Sequence, residues 1–164
     1  KYDGAVFSAP YRGVTMALPE PIGVLAQVAP EDQPLLTTIS LIAPAIAMGN
    51  RVILIPSESF PSVALELVQT FETSDIPPGV INIVTGDKDE LSNQLVGHAE
   101  VDGVWCWADS DTVKKVETTS ALDLKRLWIH SDGDRDWLDS DQGEGLEFLR
   151  NATEVKNIWT PYGD

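Results

Sequence analysis

The fold is decided by residues 20–86, which read EPIGVLAQVAPEDQPLLTTISLIAPAIAMGNRVILIPSESFPSVALELVQTFETSDIPPGVINIVTG. The apolar run at residues 22–28 contains β-branched residues, as a buried strand requires. Similar runs follow at residues 51–55 and 80–84, and helical apolar spacing fills both intervals, the second over residues 60–71. The stretch therefore predicts a β-α-β-α-β unit with right-handed crossovers and parallel, adjacent strands.

Local signals set the ends of the first helix. Asp32 can accept from the free amides of a helix start, and Pro34 suits the first turn, where its missing N–H costs nothing. Pro44 lies inside the apolar pattern and is expected to kink the helix. Gly49 and Asn50 both tolerate a left-handed backbone, and they predict the helix end.

The second half of the chain continues the same alternation. Asp87 can cap a helix over residues 88–97. A strand is expected at residues 101–107, with its two tryptophans on one face and its cysteine on the other. A further helix at residues 112–119 leads to a fifth strand at residues 124–130.

Net charge and cysteine content limit the classes of partner and the cellular location that we expect. The 164 residues carry a net charge of −15, and this argues against nucleic acid and anionic membranes as partners, because both need a basic face. A single cysteine excludes an internal disulfide framework and is typical of a reducing, cytoplasmic location. No apolar run reaches the ~18 residues of a membrane span. The first residue is Lys1 rather than Met, so we expect a piece of a longer protein.

Several short motifs, taken in this order and spacing, resemble the cofactor-binding domain of the aldehyde dehydrogenase superfamily. They are Glu20-Pro21-Ile22-Gly23-Val24, Ala43-Pro44-Ala45, Gly49-Asn50, Pro56-Ser57-Glu58, Pro77-Pro78-Gly79-Val80 and Asn82-Ile83-Val84-Thr85-Gly86. The resemblance implies an α/β fold of Rossmann-like type. A doubly wound parallel sheet of about five strands would be joined by a small antiparallel oligomerisation hairpin and a C-terminal strand.

The resemblance also shows where catalytic residues are lost. The family's Pro-Trp-Asn-Phe-Pro motif supplies an asparagine that donates to the oxyanion, and Asp32 stands in its place. A carboxylate would repel the developing charge, so we interpret Asp32 as a helix cap only. The family's general base belongs to a Glu-Leu-Gly-Gly motif, for which Asp123 is a poor match. Cys106 is expected to be a buried structural thiol, because no cation or base lies near it in the sequence. No catalytic residue is therefore assigned.

Three residues remain as candidates for cofactor binding, namely Ser57, Glu58 and Gly86. The resemblance implies that Glu58 contacts the adenosine ribose, although Ile55 replaces the lysine that normally assists it. Ser57 and Glu58 could alternatively cap the following helix.

The pyrophosphate loop of the family is altered as well. Ala108, Asp109 and Val113 replace Gly, Ser and Gly, and Asp109 would place a negative charge where the pyrophosphate should sit. We therefore expect no tightly bound cofactor, with NAD bound only if the altered cleft still functions.

The C-terminal third is acidic and then apolar. Residues 131–147 are interpreted as a solvated acidic loop. A calcium loop is the alternative, but Trp137 occupies the position that requires glycine. No metal site is assigned. The tail resembles the C-terminal strand of the family's oligomerisation sheet.

The expected domain layout follows the resemblance. It comprises an N-terminal strand or oligomerisation hairpin (1–19), a degenerate cofactor domain (20–130), the acidic loop (131–147), and a helix end with an oligomerisation strand (148–164). This layout resembles the degenerate second module of the double-module, family-sixteen aldehyde dehydrogenases. The segment from Val14 to Leu18 could alternatively be a frayed terminal strand.

Two main hypotheses follow. The first is a non-catalytic pseudo-dehydrogenase module that contacts a protein partner, either another copy or an active dehydrogenase module. Its contacts would run through the strand from Val14 to Leu18 and the strand from Val155 to Trp159. The alternative is an NAD(P)-dependent aldehyde oxidoreductase, or part of one, with an altered cleft. A domain for another small ligand is a third, weaker idea.

Overall fold

A computed structural model describes residues 4–8 and 13–161. The elements in chain order are β1 (Ala5–Ser8), β2 (Gly13–Pro21), β3 (Val24–Val28), α1 (Pro34–Ala47), β4 (Arg51–Ile55), α2 (Pro61–Glu66), α3 (Val68–Thr73), β5 (Ile81–Ile83), α4 (Lys88–Val96), β6 (Gly103–Ala108), α5 (Ser110–Ser120), β7 (Arg126–Ser131), α6 (Ser140–Gly143), α7 (Leu146–Asn151) and β8 (Thr153–Pro161). None of the described helices is long and apolar enough to cross a bilayer.

The main sheet has five parallel strands in the order β5-β4-β3-β6-β7. The first three core strands are parallel and adjacent, so the predicted β-α-β-α-β unit is confirmed. Their carboxyl ends meet at one edge, where ligands bind in sheets of this type. The α/β, Rossmann-like fold class is likewise confirmed.

Side chains alternate across the sheet as the pleat requires. Trp105 and Trp107 of β6 are buried against α1, whereas Cys106 points to the opposite layer, where it packs with Val96 of α4 and Val116 of α5. Both faces of the sheet are therefore covered, and this explains why its central strands read as continuous apolar runs.

The helix cap predicted at Asp32 is wrong. Helix α1 begins at Pro34, so the cap position falls on Gln33, which has φ 47° and makes no side-chain cap bond. Asp32 is exposed and stands one residue too early to accept from the first turn. The hydroxyls of Thr37 and Thr38 instead donate back to the carbonyls of the first turn.

The end of α1 follows the prediction only in part. Gly49 takes the left-handed conformation with φ 92°, but Asn50 does not share it. The buried Asn50 amide donates to the carbonyls of Ala45 at 3.0 Å and Ala152 at 2.8 Å, and its oxygen accepts from the Gly23 amide at 3.0 Å. Asn50 therefore joins the helix end to two distant segments.

Two other elements differ from expectation. The helix predicted at residues 60–71 is split at Leu67 into α2 and α3. Residues 131–147 do not form a simple solvated loop, because they contain α6 and place Trp137 in the core with only 5% of its surface exposed. Burying that large apolar ring ties the acidic segment to the domain.

The second sheet is antiparallel, with the order β1-β2-β8. β2 lies in the middle and pairs with β8 at nine consecutive positions, so the segment from Val14 to Leu18 is not a frayed strand. β8 includes the segment from Val155 to Trp159 that was predicted as the tail strand.

Candidate functional site

A cleft of about 550 Å³ opens at the carboxyl ends of the parallel strands. The loops after all five strands contribute to its wall. Six of the nine lining residues are acidic and one is a lysine; the lining residues are Glu31, Glu58, Ser59, Asp87, Lys88, Asp89, Ala108, Asp109 and Asp132. The site is therefore strongly acidic.

Glu31 organises the turn after β4. Its carboxylate accepts from the Ser57 hydroxyl at 2.8 Å and from the backbone amides of Glu58 and Ser59, each at 3.0 Å. Ser57 is buried. The amides of the turn, which could otherwise face a ligand oxygen, are occupied by a side chain of the protein itself.

Lys88 contributes the cation of the cleft. Its ammonium pairs with the Glu31 carboxylate and donates to the Ala29 carbonyl at 2.9 Å. Burial on its own would raise the pKa of Glu31, but hydrogen bonds from Lys88, from the two turn amides and from Ser57 outweigh it and lower that pKa to about 2. Glu31 is therefore ionised at neutral pH.

The predicted cofactor residues are only partly brought together. Glu58 lines the cleft, and its carboxylate accepts from the backbone amide of Lys88 at 3.1 Å, at the start of α4. Ser57 lies behind it, bonded to Glu31. Gly86 precedes Asp87, and it is not among the described residues that line the cavity. Their role in cofactor binding stays a prediction.

Asp109 occupies the start of α5. One carboxylate oxygen accepts from the amides of Asp111 at 2.8 Å and Thr112 at 3.2 Å, and the other accepts from the Thr112 hydroxyl at 2.8 Å. The hydrogen bonds from Thr112, followed by that from Asp111, lower the pKa of Asp109. The helix start that faces the cleft therefore carries a fixed negative charge.

Helices α4 and α5 are joined across the side of the cleft. The single hydroxyl proton of Thr112 is shared between Asp109 and Asp89 of α4, whose carboxylate lies 2.6 Å from the hydroxyl oxygen, and Asp89 also accepts from the Lys115 ammonium at 2.7 Å. The hydrogen bond from Lys115, with a further one from Thr112, lowers the pKa of Asp89. Asp132, after β7, behaves in the opposite way, because desolvation raises its pKa.

No nucleophile or base of the expected kind lies at the cleft among the residues described. Cys106 is fully buried, and burial raises the pKa of its thiol to about 12, so the structural interpretation of this residue is confirmed. Asp123 lies before β7, at the opposite end of that strand from the cleft, and pairs with Lys125 at 3.4 Å. It is therefore in the wrong place to act as the base.

Beside the cleft lies an aromatic cluster, which sequence reasoning missed. It consists of Trp105, Trp107, Trp128, Trp137 and Phe148. The guanidinium of Arg135 sits within 5.2 to 5.8 Å of four of these ring centroids and pairs with Glu147 at 2.9 Å. A tryptophan inside an acidic run was the signal that could have revealed it.

His130 at the end of β7 stacks on Trp107, with ring centroids 5.4 Å apart. Burial, assisted by the Arg135 cation, lowers the pKa of His130. It belongs to the packing around the aromatic cluster and is not one of the residues that line the cleft.

Glu31 and Lys88 were also missed. The resemblance drew attention to the altered position at Asp32, while Glu31 stands directly before it and Lys88 lies 57 residues further along the chain. A carboxylate immediately after a core strand was the available signal. Within the described residues, no group of three or more His, Cys, Asp or Glu side chains is arranged to hold a metal ion.

Comparison with known proteins identifies a family. The profile described as "Aldehyde dehydrogenase family" matches residues 1–138. The NADP/NAD-dependent aldehyde dehydrogenase PuuC of Escherichia coli K12 is 34% identical over 134 residues, covering 81% of this chain and 27% of that protein. The betaine aldehyde dehydrogenase of Vibrio vulnificus CMCP6 is 34% identical over 141 residues, covering 86% of this chain and 29% of that protein.

Solved structures agree with this grouping. Betaine aldehyde dehydrogenase from Staphylococcus aureus superimposes with a TM-score of 0.77 at 29% identity, covering 82% of this chain and 27% of that one; it was solved as an apo mutant and as another mutant with NAD+. The chain therefore spans less than a third of the length of these relatives.

Proposed function

The chain belongs to the aldehyde dehydrogenase family, and on that basis we propose that it is a non-catalytic dehydrogenase module that acts through contacts with a protein partner. The finer assignment, to the degenerate second module of a family-sixteen enzyme, is part of this proposal. So are the division into the four segments named above and the cytoplasmic location.

One observation carries the proposal. Backbone amides of the turn after β4 and of the starts of α4 and α5, which could otherwise receive a dinucleotide phosphate, are already bonded to the protein's own carboxylates. Glu31 accepts hydrogen bonds from two amides of the turn after β4. Glu58 and Asp87 each accept from one amide at the start of α4, and Asp109 accepts from two amides at the start of α5. Anion binding at a helix start depends on such free donors.

The charge of the cleft supports the same conclusion. Each carboxylate about 4 Å from a phosphate oxygen opposes binding by about 1 to 4 kcal/mol, depending on solvent exposure. Asp109 is positioned to act in this way, and Lys88 is already paired with Glu31. The residues present therefore do not fit a tightly bound NAD.

The exposed surface of the small sheet favours a role in protein contact. Both faces of the sheet carry exposed apolar side chains, and such side chains mark an interaction site where they form a contiguous patch. They are Val6, Phe7, Leu18, Val155 and Trp159. We assign the partner contacts to β2 and β8 on this ground.

The test is isothermal titration of NAD and NADP into the purified chain, together with thermal unfolding in their presence. We expect a Kd weaker than about 1 mM, equivalent to about −4 kcal/mol, and no rise in Tm, because only a ligand of the folded state stabilises it. Asp109→Ser keeps a helix cap but removes the charge, and is expected to tighten NAD binding about tenfold.

Asp111→Ser is the matched control. Asp111 lies on the same helical turn but does not line the cleft, so its replacement should leave NAD affinity within about twofold of the wild-type value. Equal gains in both variants would mean that general charge, not the Asp109 position, governs the affinity.

A second candidate is an NAD(P)-dependent aldehyde oxidoreductase, or part of its active site, with an altered cleft. The position of Glu58 in the cleft wall favours it. One-to-one NAD binding by the wild-type chain that is lost in Glu58→Ala would support this candidate and would contradict the non-catalytic module. Binding of a different small molecule would point instead to the third, weaker idea.

A further inference from the structure

We propose that the outer edge of β5 and the apolar groove beside it bind an extended peptide of a protein partner, one with alternating apolar side chains and flanking lysines or arginines. The peptide adds a sixth strand to the main sheet. This surface belongs to the main sheet rather than to the small sheet of β2 and β8, so the inference goes beyond the proposed function.

The first observation is a groove of about 530 Å³ between β5 and the helices α2 and α3. Ile81 and Ile83 line it from the sheet, and Phe71 lines it from α3. Glu72 is the only charged residue among the described residues of its wall. A concave and mostly apolar surface of this size is typical of a binding site.

The helices on this side leave the edge strand only partly covered. None of the six residues of α3 is buried by the described part of the chain, and Leu65 of α2 is 46% exposed. Ile81 and Ile83 are only half-buried, although they pack against the core cluster below them. The strands of a parallel sheet are normally covered on both faces, so β5 retains apolar surface that a further element can cover.

The second observation is the free edge of β5. It is the last of the described strands in the order of the main sheet, and it contains no proline or charged residue of the kind that protects many edges. The Val80 carbonyl and the Val84 amide bond to β4, at 2.8 and 2.9 Å. Because backbone groups alternate sides along a strand, the N–H and C=O of Ile81 and Ile83 point outwards, where a further strand can bond to them.

The third observation is the charge beside the groove. Between Val52 and Asp87 the sequence contains no lysine, arginine or histidine. It contains five acids, which are Glu58, Glu66, Glu72, Asp75 and Asp87. Glu72 lines the groove, and Glu66 and Asp75 are exposed in the same helical segment. Complementary charge selects partners, so this surface favours a peptide with lysines or arginines beside its apolar side chains.

An extended peptide satisfies these observations together. Its backbone bonds to the outward N–H and C=O groups of β5, while alternate side chains extend over Ile81 and Ile83 into the groove. A helical partner would leave those backbone groups unpaired. A second copy of the chain would bring a net charge of −15 towards a surface that is itself acidic.

The test is fluorescence anisotropy with the 164-residue chain and a labelled synthetic peptide, Lys-Lys-Val-Thr-Val-Thr-Val-Lys-Lys. We expect saturable binding with a Kd below about 100 μM, which weakens as NaCl is raised. The same peptide with glutamate in place of lysine keeps the apolar side chains and should bind at least about tenfold more weakly. Equal binding of the two peptides, or no binding of the lysine peptide, overturns the proposal.

Methylated peptides test the addition of a strand. Methylation of the valine amides blocks hydrogen bonds on one side of the extended peptide, and methylation of the threonine amides blocks them on the other side. Only one side can bond to β5, so one methylated peptide should lose at least about tenfold in affinity while the other stays within about threefold. Loss of binding by both, or by neither, contradicts the pairing with β5.

Glu72→Lys locates the binding at the groove. Reversing this charge should weaken the lysine peptide by about fivefold and strengthen the glutamate peptide by a similar factor. Glu117→Lys is the matched control, because it changes the net charge equally at an exposed residue of α5, on the opposite face of the main sheet. It should leave both affinities within about twofold of the wild-type values. If the two variants behave alike, the peptide does not bind at this groove.

Sedimentation velocity distinguishes the other possible occupant. A dimer of the wild-type chain that the lysine peptide dissociates would identify a second copy at this edge, and would overturn the peptide partner. The proposed function is tested separately, because the groove and the cleft share no lining residue among those described. NAD binding contradicts the non-catalytic module and leaves the peptide site standing, whereas failure of the peptide to bind contradicts only the peptide site.

Discussion

At the scale of single residues, Glu31 is the side chain that most shapes the cleft. Three donors of one turn and the Lys88 ammonium converge on its carboxylate. Because these contacts hold the pKa in the folded state near 2, below the ordinary value of 4.5, the ionised form stabilises the fold above about pH 4.5. That contribution is lost as the pH falls from 4.5 through 2.

Glu31→Gln is therefore expected to lower the free energy of unfolding by about 1 to 2 kcal/mol at pH 7, a value reduced for solvent screening because 40% of the side chain is exposed. The difference between wild type and variant should shrink as the pH is lowered from 5 towards 2. Urea unfolding at pH 7, 5 and 3 measures it.

The exposed Glu66 of α2 offers the control for this change. Glu66→Gln should alter stability by less than about 0.5 kcal/mol and show no such pH dependence. A Glu31→Gln deficit that stays constant with pH would mean that the carboxylate acts through shape rather than through its charge.

At the scale of elements, the acidic segment 131–147 behaves as part of the core. Trp137 packs against Trp107 of β6 and Phe148 of α7, and the Arg135 side chain, only 7% exposed, lies among the rings of the aromatic cluster. A cation over several aromatic faces is stabilised by their quadrupoles, most strongly where water is excluded. The contacts of Arg135 with these rings therefore stabilise the position of residues 131–147 against the five-stranded sheet.

Arg135→Ala is expected to lower the free energy of unfolding by about 2 to 4 kcal/mol, because it removes a buried cation, its packing and its pair with Glu147. Near-UV circular dichroism should lose intensity at neutral pH, since the tryptophans become less fixed. Arg150→Ala, at an exposed arginine of α7, should change stability by less than about 0.5 kcal/mol. Equal effects of the two substitutions would contradict the anchoring role of Arg135.

At the scale of the whole molecule, the net charge of −15 governs behaviour in solution. Six of the carboxylates line the cleft together with one lysine. Self-repulsion of this kind favours expanded states and weakens with ionic strength. The same repulsion should also make any dimer depend on salt.

Raising NaCl from about 10 to 300 mM is therefore expected to increase stability by about 1 kcal/mol, or about 3 °C in Tm for a chain of this size. Differential scanning calorimetry measures the shift, with sucrose at equal osmolarity as the control for excluded solute. A fall in Tm with NaCl would indicate that ion pairs such as Lys115 with Asp89 outweigh the repulsion.

Local patterns account for most of the fold that could be predicted. The parallel strands follow from short apolar runs, and the cap at Asp87 follows from a carboxylate placed directly before a helix. Asp32 failed as a cap because a displacement of one residue, which no pattern reveals, moved the cap position to Gln33. The cleft was anticipated at Glu58 and Asp109, but not at Glu31 or Lys88.

Periodicity, composition and neighbouring residues are enough to predict the alternation of strands and helices along the parallel sheet, the acidic character of the chain and the burial of Cys106. Three contacts depend instead on tertiary packing: Lys88 pairs with Glu31, Asn50 bonds to Ala152, and Arg135 enters the aromatic cluster. The first two of these contacts join residues 57 and 102 positions apart. The packing of several elements, rather than any local preference, brings such groups together.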